Sequence, residues 1–157
     1  MTDSLAAQVA RLVDERDVLD VEHRFAASMD GRDWATFRSL YADELVLDYT
    51  SYRGGDPVTV SAEAWVERVR SRFATLVATQ HSLSNHRIEV DGDQARCLAY
   101  VEATHIGRIE GAEQWCLVGG QYDDLLSRTA AGWRIVRKKL EVRWVTGDRR
   151  ILDLPTS

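Results

Sequence analysis

The chain has 157 residues, 45% of them hydrophobic, and a formal net charge of −5. That length suits one domain, residues 1–157, able to bury about two thirds of its unfolded surface. Acids and bases are mixed along the chain with no basic block or acidic tail, which argues against nucleic acid or a lipid surface as partner.

No apolar run approaches the roughly 20 residues of a membrane span. The opening MTDSLAAQVARLVDERD lacks the basic-then-apolar order of a secretory signal, so the expected location is cytoplasmic. Leu5, Val9, Leu12, Val13, Val18, Val21, Phe25 and Met29 recur mostly at three- and four-residue steps, which predicts one long or two consecutive helices with a buried stripe. Asp30-Gly31 closes that stretch. Asp33 is placed to cap a short second helix running to Tyr41. Glu44 to Tyr52 alternates and reads as a strand stopped by Gly54-Gly55-Asp56-Pro57, and Ser61 starts a third helix with Trp65, Val66, Val69, Phe73 and Leu76 spaced for burial.

Four strands follow: His81–Val90, Gln94–Ile106, Glu113–Leu126 and Trp133–Val145, the first two joined at Asp91-Gly92. The expected class is α+β, a curved antiparallel sheet with helices packed on one face. Trp65, Trp115, Trp133 and Trp144 are expected in the core. Cys97 and Cys116, with no CxxC pairing, read as buried thiols.

The residues suited to chemistry are few. Asp30 ends the first helix and His81 opens the strand meander, so a helix laid across the sheet brings them together. A carboxylate on one imidazole nitrogen fixes the tautomer and stabilises the cation that forms when the other takes a proton. The plainer alternative is a helix-ending aspartate and a satisfied histidine, and spacing alone leaves both open. His105 lies late in its strand with Ala99, Val101 and Ala103 on the same face, which leaves room for a ligand. Tyr49 offers a phenol at the end of the early strand. In Arg137-Lys138-Lys139, alternation sends at least one cation to the face opposite its neighbours. His23 and His86 complete the histidines, and no metal-ligand spacing is present. Dinucleotide, phosphate-loop and nucleophile-elbow motifs are absent too. The expectation is therefore a site without metal or cofactor.

DERDVLDVEHRFAASMDGRDWATFRSLYADELVLDYTS, TQHSLSNHRIEVDGDQARCLAYVEATHIG and AAGWRIVRKKLEVRW, in that order, resemble the SnoaL-like branch of the nuclear transport factor two-like superfamily. The resemblance implies a cone-shaped pocket, a small apolar or aromatic ligand, and a homo-oligomer, dimer or trimer. Within that superfamily, the dehydrochlorinase group pairs an aspartate after the first helix with a proton-abstracting histidine, and Asp30 and His81 match. The scytalone dehydratase group adds a second histidine and a tyrosine, matched by His105 and Tyr49, but has a second tyrosine where this chain has Met29. A last-strand cation of the dehydrochlorinase group points to Lys138 as a substrate-binding candidate, with Arg137 or Lys139 taking its place on a one-residue slip. The activities implied are a lyase or isomerase without cofactor, a polyketide cyclase closing a ring by aldol chemistry, or a non-catalytic ligand-binding or assembly module.

Overall fold

The computed structural model describes residues 4–152. Helix α1 (Leu5–Asp30) starts at Ser4, whose hydroxyl accepts from the Ala7 amide at 3.2 Å. Its apolar stripe is buried only from Val18 onward; Leu5, Val9, Leu12 and Val13 are exposed. The chain then turns sharply through Arg32, whose φ of 59° is left-handed. Asp33 caps α2 (Trp34–Ser39) by accepting from the Thr36 amide at 3.0 Å. That helix stops short of Tyr41, which instead opens strand β1 (Tyr41–Asp48).

Strand β1 also ends earlier than the alternation predicts. Asp48 accepts from the Thr50 hydroxyl at 2.6 Å, folding the chain into the single turn α3 (Thr50–Arg53), so Tyr49 sits just past the strand. A short strand β2 (Val58–Ser61), which the Gly-Pro loop masked in the sequence, precedes α4 (Ala62–Phe73). Ser61 caps α4 as expected, accepting from the Ala64 amide.

The long strands β3 (Leu76–Asp91), β4 (Gln94–Ile109), β5 (Ala112–Thr129) and β6 (Gly132–Gly147) complete the sheet, and a 3-10 turn over Arg149–Leu152 follows. The strand order is β2-β1-β6-β5-β4-β3. Every pairing is antiparallel except β1 with β6, and the edges β2 and β3 do not meet, so the sheet curves without closing. Its inner face packs on α1, α2 and α4 around Phe25, Phe37, Tyr41 and Leu45. The α+β expectation with a curved, mostly antiparallel sheet holds.

Two irregularities in β6 decide what faces inward. Leu126 pairs with Ile135 while Leu125 pairs with Arg137, so one extra residue is accommodated in β6 and the alternation shifts. Ile135 and Lys138 consequently both point into the protein. The second shift lies between Gly119, opposite Trp144, and Gly120, opposite Val142. The missing side chain of Gly119 leaves room for the Trp144 ring. Trp65 and Trp133 are buried as expected, but Trp115 and Trp144 are half-exposed, because the second bulge and strand alternation put them on the outer sheet face. Both cysteines are buried free thiols.

At Gly120 a Cβ would run into the Glu141 carbonyl oxygen, a backbone atom that cannot yield. Gly120→Ala should lower stability by about 2 kcal/mol or more, read as a reduced urea midpoint. An unchanged midpoint would show that β5 and β6 do not approach so closely there.

Candidate active site

Asp30 occupies the last turn of α1, where the helix dipole disfavours an anion and no basic residue offsets it. Three groups from β3 compensate. The Thr79 hydroxyl donates to Asp30 Oδ1 at 2.9 Å, the His81 amide donates to Oδ2 at 2.7 Å, and His81 Nδ1 lies 2.6 Å from Oδ1. Arg32 braces this arrangement by donating to Thr79 Oγ1 at 2.9 Å and to the Met29 carbonyl at 3.0 Å. Burial pushes the Asp30 carboxyl up, but the hydrogen bond and charge of the His81 ring, its amide and Thr79 outweigh it and hold the pKa below 3.8. An ionised Asp30 accepts the Nδ1 proton, leaving Nε2 of the His81 ring with its lone pair.

The sheet register brings the second histidine to the same face. His81 pairs with Ala103 and Thr79 pairs with His105, so the two imidazoles are diagonal neighbours, with ring centroids 5.6 Å apart at 85°. Phe73, from the end of α4, stacks on His81 at 6.1 Å and 13°, and the Arg32 guanidinium lies over the Phe73 ring, 4.8 Å from its centroid. His105 is buried with Ala99, Val101 and Ala103, the face its alternation predicts. Burial first, then the charge of His81, pull the His105 pKa down to about 4, so at neutral pH it is an uncharged imidazole.

Both histidines line a cavity of about 230 Å³ whose walls are mainly apolar, including Met29, Trp65, Phe73, Val101 and Leu140. Tyr49 is in that wall, with its ring 5.5 Å from Trp65, and burial pushes its phenol well above the ordinary range. Asp30, His81, His105 and Tyr49 are thus brought to one place. The sequence reading missed Thr79 and Arg32, whose roles depend on a tertiary contact, and the arginines of the cavity wall, Arg53, Arg68 and Arg72. Among the described residues no three His, Cys, Asp or Glu side chains converge as metal ligands.

Lys138 is placed differently from the substrate-binding position considered for it. The first bulge turns it inward, but behind the cavity wall: it is fully buried, 2.5 Å from Asp124 and 3.4 Å from Glu22, with its ammonium 3.5 Å from the Phe25 ring centroid and 3.9 Å from that of Tyr122. Burial disfavours the ammonium, but Asp124 and then Glu22 outweigh it, so Lys138 stays charged. Burial also pushes the Asp124 carboxyl up, against the pull of Lys138 and with the push of Glu22. Arg137 meanwhile bonds Asp123 at 3.1 Å, away from the cavity wall.

A long helix laid into a curved, unclosed sheet, with a cavity between them, is the nuclear transport factor two-like architecture. The chain matches the SnoaL-like domain over residues 10–139, and it belongs to that family. A protein of Kribbella flavida is similar in structure, with a TM-score of 0.85 and 27% identity over 92% of this chain and 99% of that one. A Novosphingobium aromaticivorans protein provisionally assigned as a scytalone dehydratase has a TM-score of 0.77 at 19% identity, covering 88% of this chain and 90% of its own. Hexachlorocyclohexane dehydrochlorinase LinA-type3 of Novosphingobium barchaimii has a TM-score of 0.72 at 17% identity, covering 89% and 93%. At those identities the last two bear on fold. Among the described residues no helix is long and apolar enough to cross a membrane.

Two outcomes test this description. His105 in the unfolded chain takes a proton near 6.5 and in the native state only near 4, so stability should fall as pH drops through that window, by up to ~3 kcal/mol. His86, whose pKa burial also lowers, adds a slope of the same sign. Denaturant titrations at pH 7 and 4.5 should therefore show a shallower loss in His105→Gln; identical losses in the two proteins would show that His105 is not held neutral. For the buried cluster, Lys138→Ala should cost about 3–5 kcal/mol, because Asp124 and Glu22 lose their cation. A loss below ~1 kcal/mol in urea unfolding would mean that the cluster does not stabilise the fold.

Proposed function

We propose that the protein is a lyase or isomerase that uses no cofactor and in which His81 abstracts a proton from a carbon acid bound in the cavity. The carrying observation is the 2.6 Å contact of His81 Nδ1 with the half-buried carboxylate of Asp30 while the same ring lines an apolar cavity. In elimination, Nε2 takes a proton from carbon next to a carbonyl. The electron pair of the broken C–H bond forms the new double bond, and the leaving group departs from the adjacent carbon with its own bonding pair. Asp30 stabilises the imidazolium that results. Where the leaving group is hydroxide, the proton passes from His81 to it, giving water and restoring the base. The neutral His105 donates an N–H toward the oxygen that gains charge, and the Tyr49 hydroxyl is a second donor. Isomerisation uses the same first step and returns the proton to a different carbon.

Membership of the SnoaL-like family and the fold shared with a dehydrochlorinase and a protein assigned as a dehydratase support this reading. The cavity size favours a substrate of one or two rings over the polycyclic precursor of an aldol-closing cyclase, since pockets for drug-sized molecules span ~300–1,000 Å³.

Small cyclic β-hydroxy and β-halo ketones, which become conjugated and absorb light on elimination, are the substrates to screen. Wild type should turn over at least one. On it, His81→Ala and Asp30→Asn should each lower kcat by about 100-fold or more with the melting temperature little changed. Wild-type rates in both variants would remove His81 and Asp30 from the chemistry, and no turnover of any compound by wild type would favour a binding module.

A further inference from the structure

Helix α4 buries Trp65, Val69 and Phe73. Residues three and seven after Trp65 fall on the flank of that same face, where a helix packed on a core ordinarily carries apolar side chains. Here they are Arg68 and Arg72, and both contribute to the cavity wall, together with Arg53 of α3. Two cations four residues apart on one helix face repel each other, so their placement does nothing for the helix itself.

Several arginines elsewhere in the chain are paired. Arg38, Arg96, Arg128 and Arg150 each hold a carboxylate within 3.0 Å. Among the described residues neither Arg53 nor Arg68 has a carboxylate within ion-pair distance, and Arg53 lies instead 5.7 Å from the Tyr52 ring centroid. Among the described residues, three arginines and one acid, Asp56, line the cavity, in a chain whose formal net charge is −5. An apolar wall of low dielectric strengthens the attraction of such a cluster for an anion, and a guanidinium presents paired donors that match a carboxylate.

We infer that Arg68 and Arg72, with Arg53 beside them, form a subsite for the carboxylate of an otherwise apolar ligand whose reacting carbon is presented to His81. This subsite rests on the same cavity as the proposed proton abstraction and names its substrate class: a one- or two-ring carboxylic acid. The carboxylate anchors one end, the apolar wall holds the ring, and the orientation toward His81 follows from having two fixed ends.

The test is binding, which needs no turnover. Affinities for 2-naphthoate and for the isosteric, uncharged 2-naphthamide are measured by calorimetry with wild type, Arg68→Gln, Arg68→Gln/Arg72→Gln and His81→Ala. Wild type should prefer the naphthoate by about tenfold or more, as expected for hydrogen bonds to a charged group. The preference should shrink in Arg68→Gln and vanish in the double variant, with naphthamide affinity unchanged. Should the double variant fail to fold, the exposed single substitution carries the test. His81→Ala should keep the preference while losing turnover, which separates failure of the anion subsite from failure of the base. Equal binding of the two probes by wild type, no binding of either, or a preference that survives Arg68→Gln and the double variant overturns the inference. So does a preference lost in His81→Ala, which would put the anion at the histidine.

Discussion

An aspartate in the last turn of a helix is in an unfavourable place, and the architecture of the cavity depends on how Asp30 is satisfied there. The carboxylate faces the negative end of the α1 dipole, and its hydrogen bonds come from β3: a hydroxyl, an amide and an imidazole. These contacts fix where α1 lies against the sheet edge. They also set the rotation of the His81 ring and, by the β3–β4 register, place His105 diagonally across from it. A local cost is thereby converted into a defined geometry.

The interior divides into two electrostatic environments with Tyr122 between them. On one side lies the cavity, where burial keeps His105 uncharged and leaves His81 as the imidazole with a carboxylate partner. On the other lies the Lys138, Asp124 and Glu22 cluster, in which charges are retained because each has an opposite partner. Tyr122 faces both, lining the cavity and lying against the Lys138 ammonium. The buried cluster therefore supports the cavity wall from behind, while the arginines of α3 and α4 contribute to the cavity wall itself.

Much of the site was legible one residue at a time. Asp30 and His81 stand at the junctions of periodic segments, and His105 follows three small alternating residues, so their faces could be read from period alone. Tyr49 was assigned to a strand, and the Asp48–Thr50 turn removed it from that strand without taking it from the cavity. The arginines of α4 left a signal that went unread: cations beside the apolar positions of an amphipathic helix. Trp115 and Trp144 depart from the expected burial because an outer sheet face accepts a large apolar side chain as well as a core does.

The amino-acid sequence by itself determined the order and type of the main elements, the caps at Asp33 and Ser61, and the inward face of β4. Each depends on hydrogen bonds or periodicities spanning a few neighbouring residues. Tertiary structure decided where Lys138 points, because one extra residue in β6 inverts the side chains from there to the second bulge and a bulge exists only relative to the strand it pairs with. It also decided that Asp30 meets His81 across 51 positions of sequence, since that contact requires α1 and β3 to be docked before either side chain has a partner.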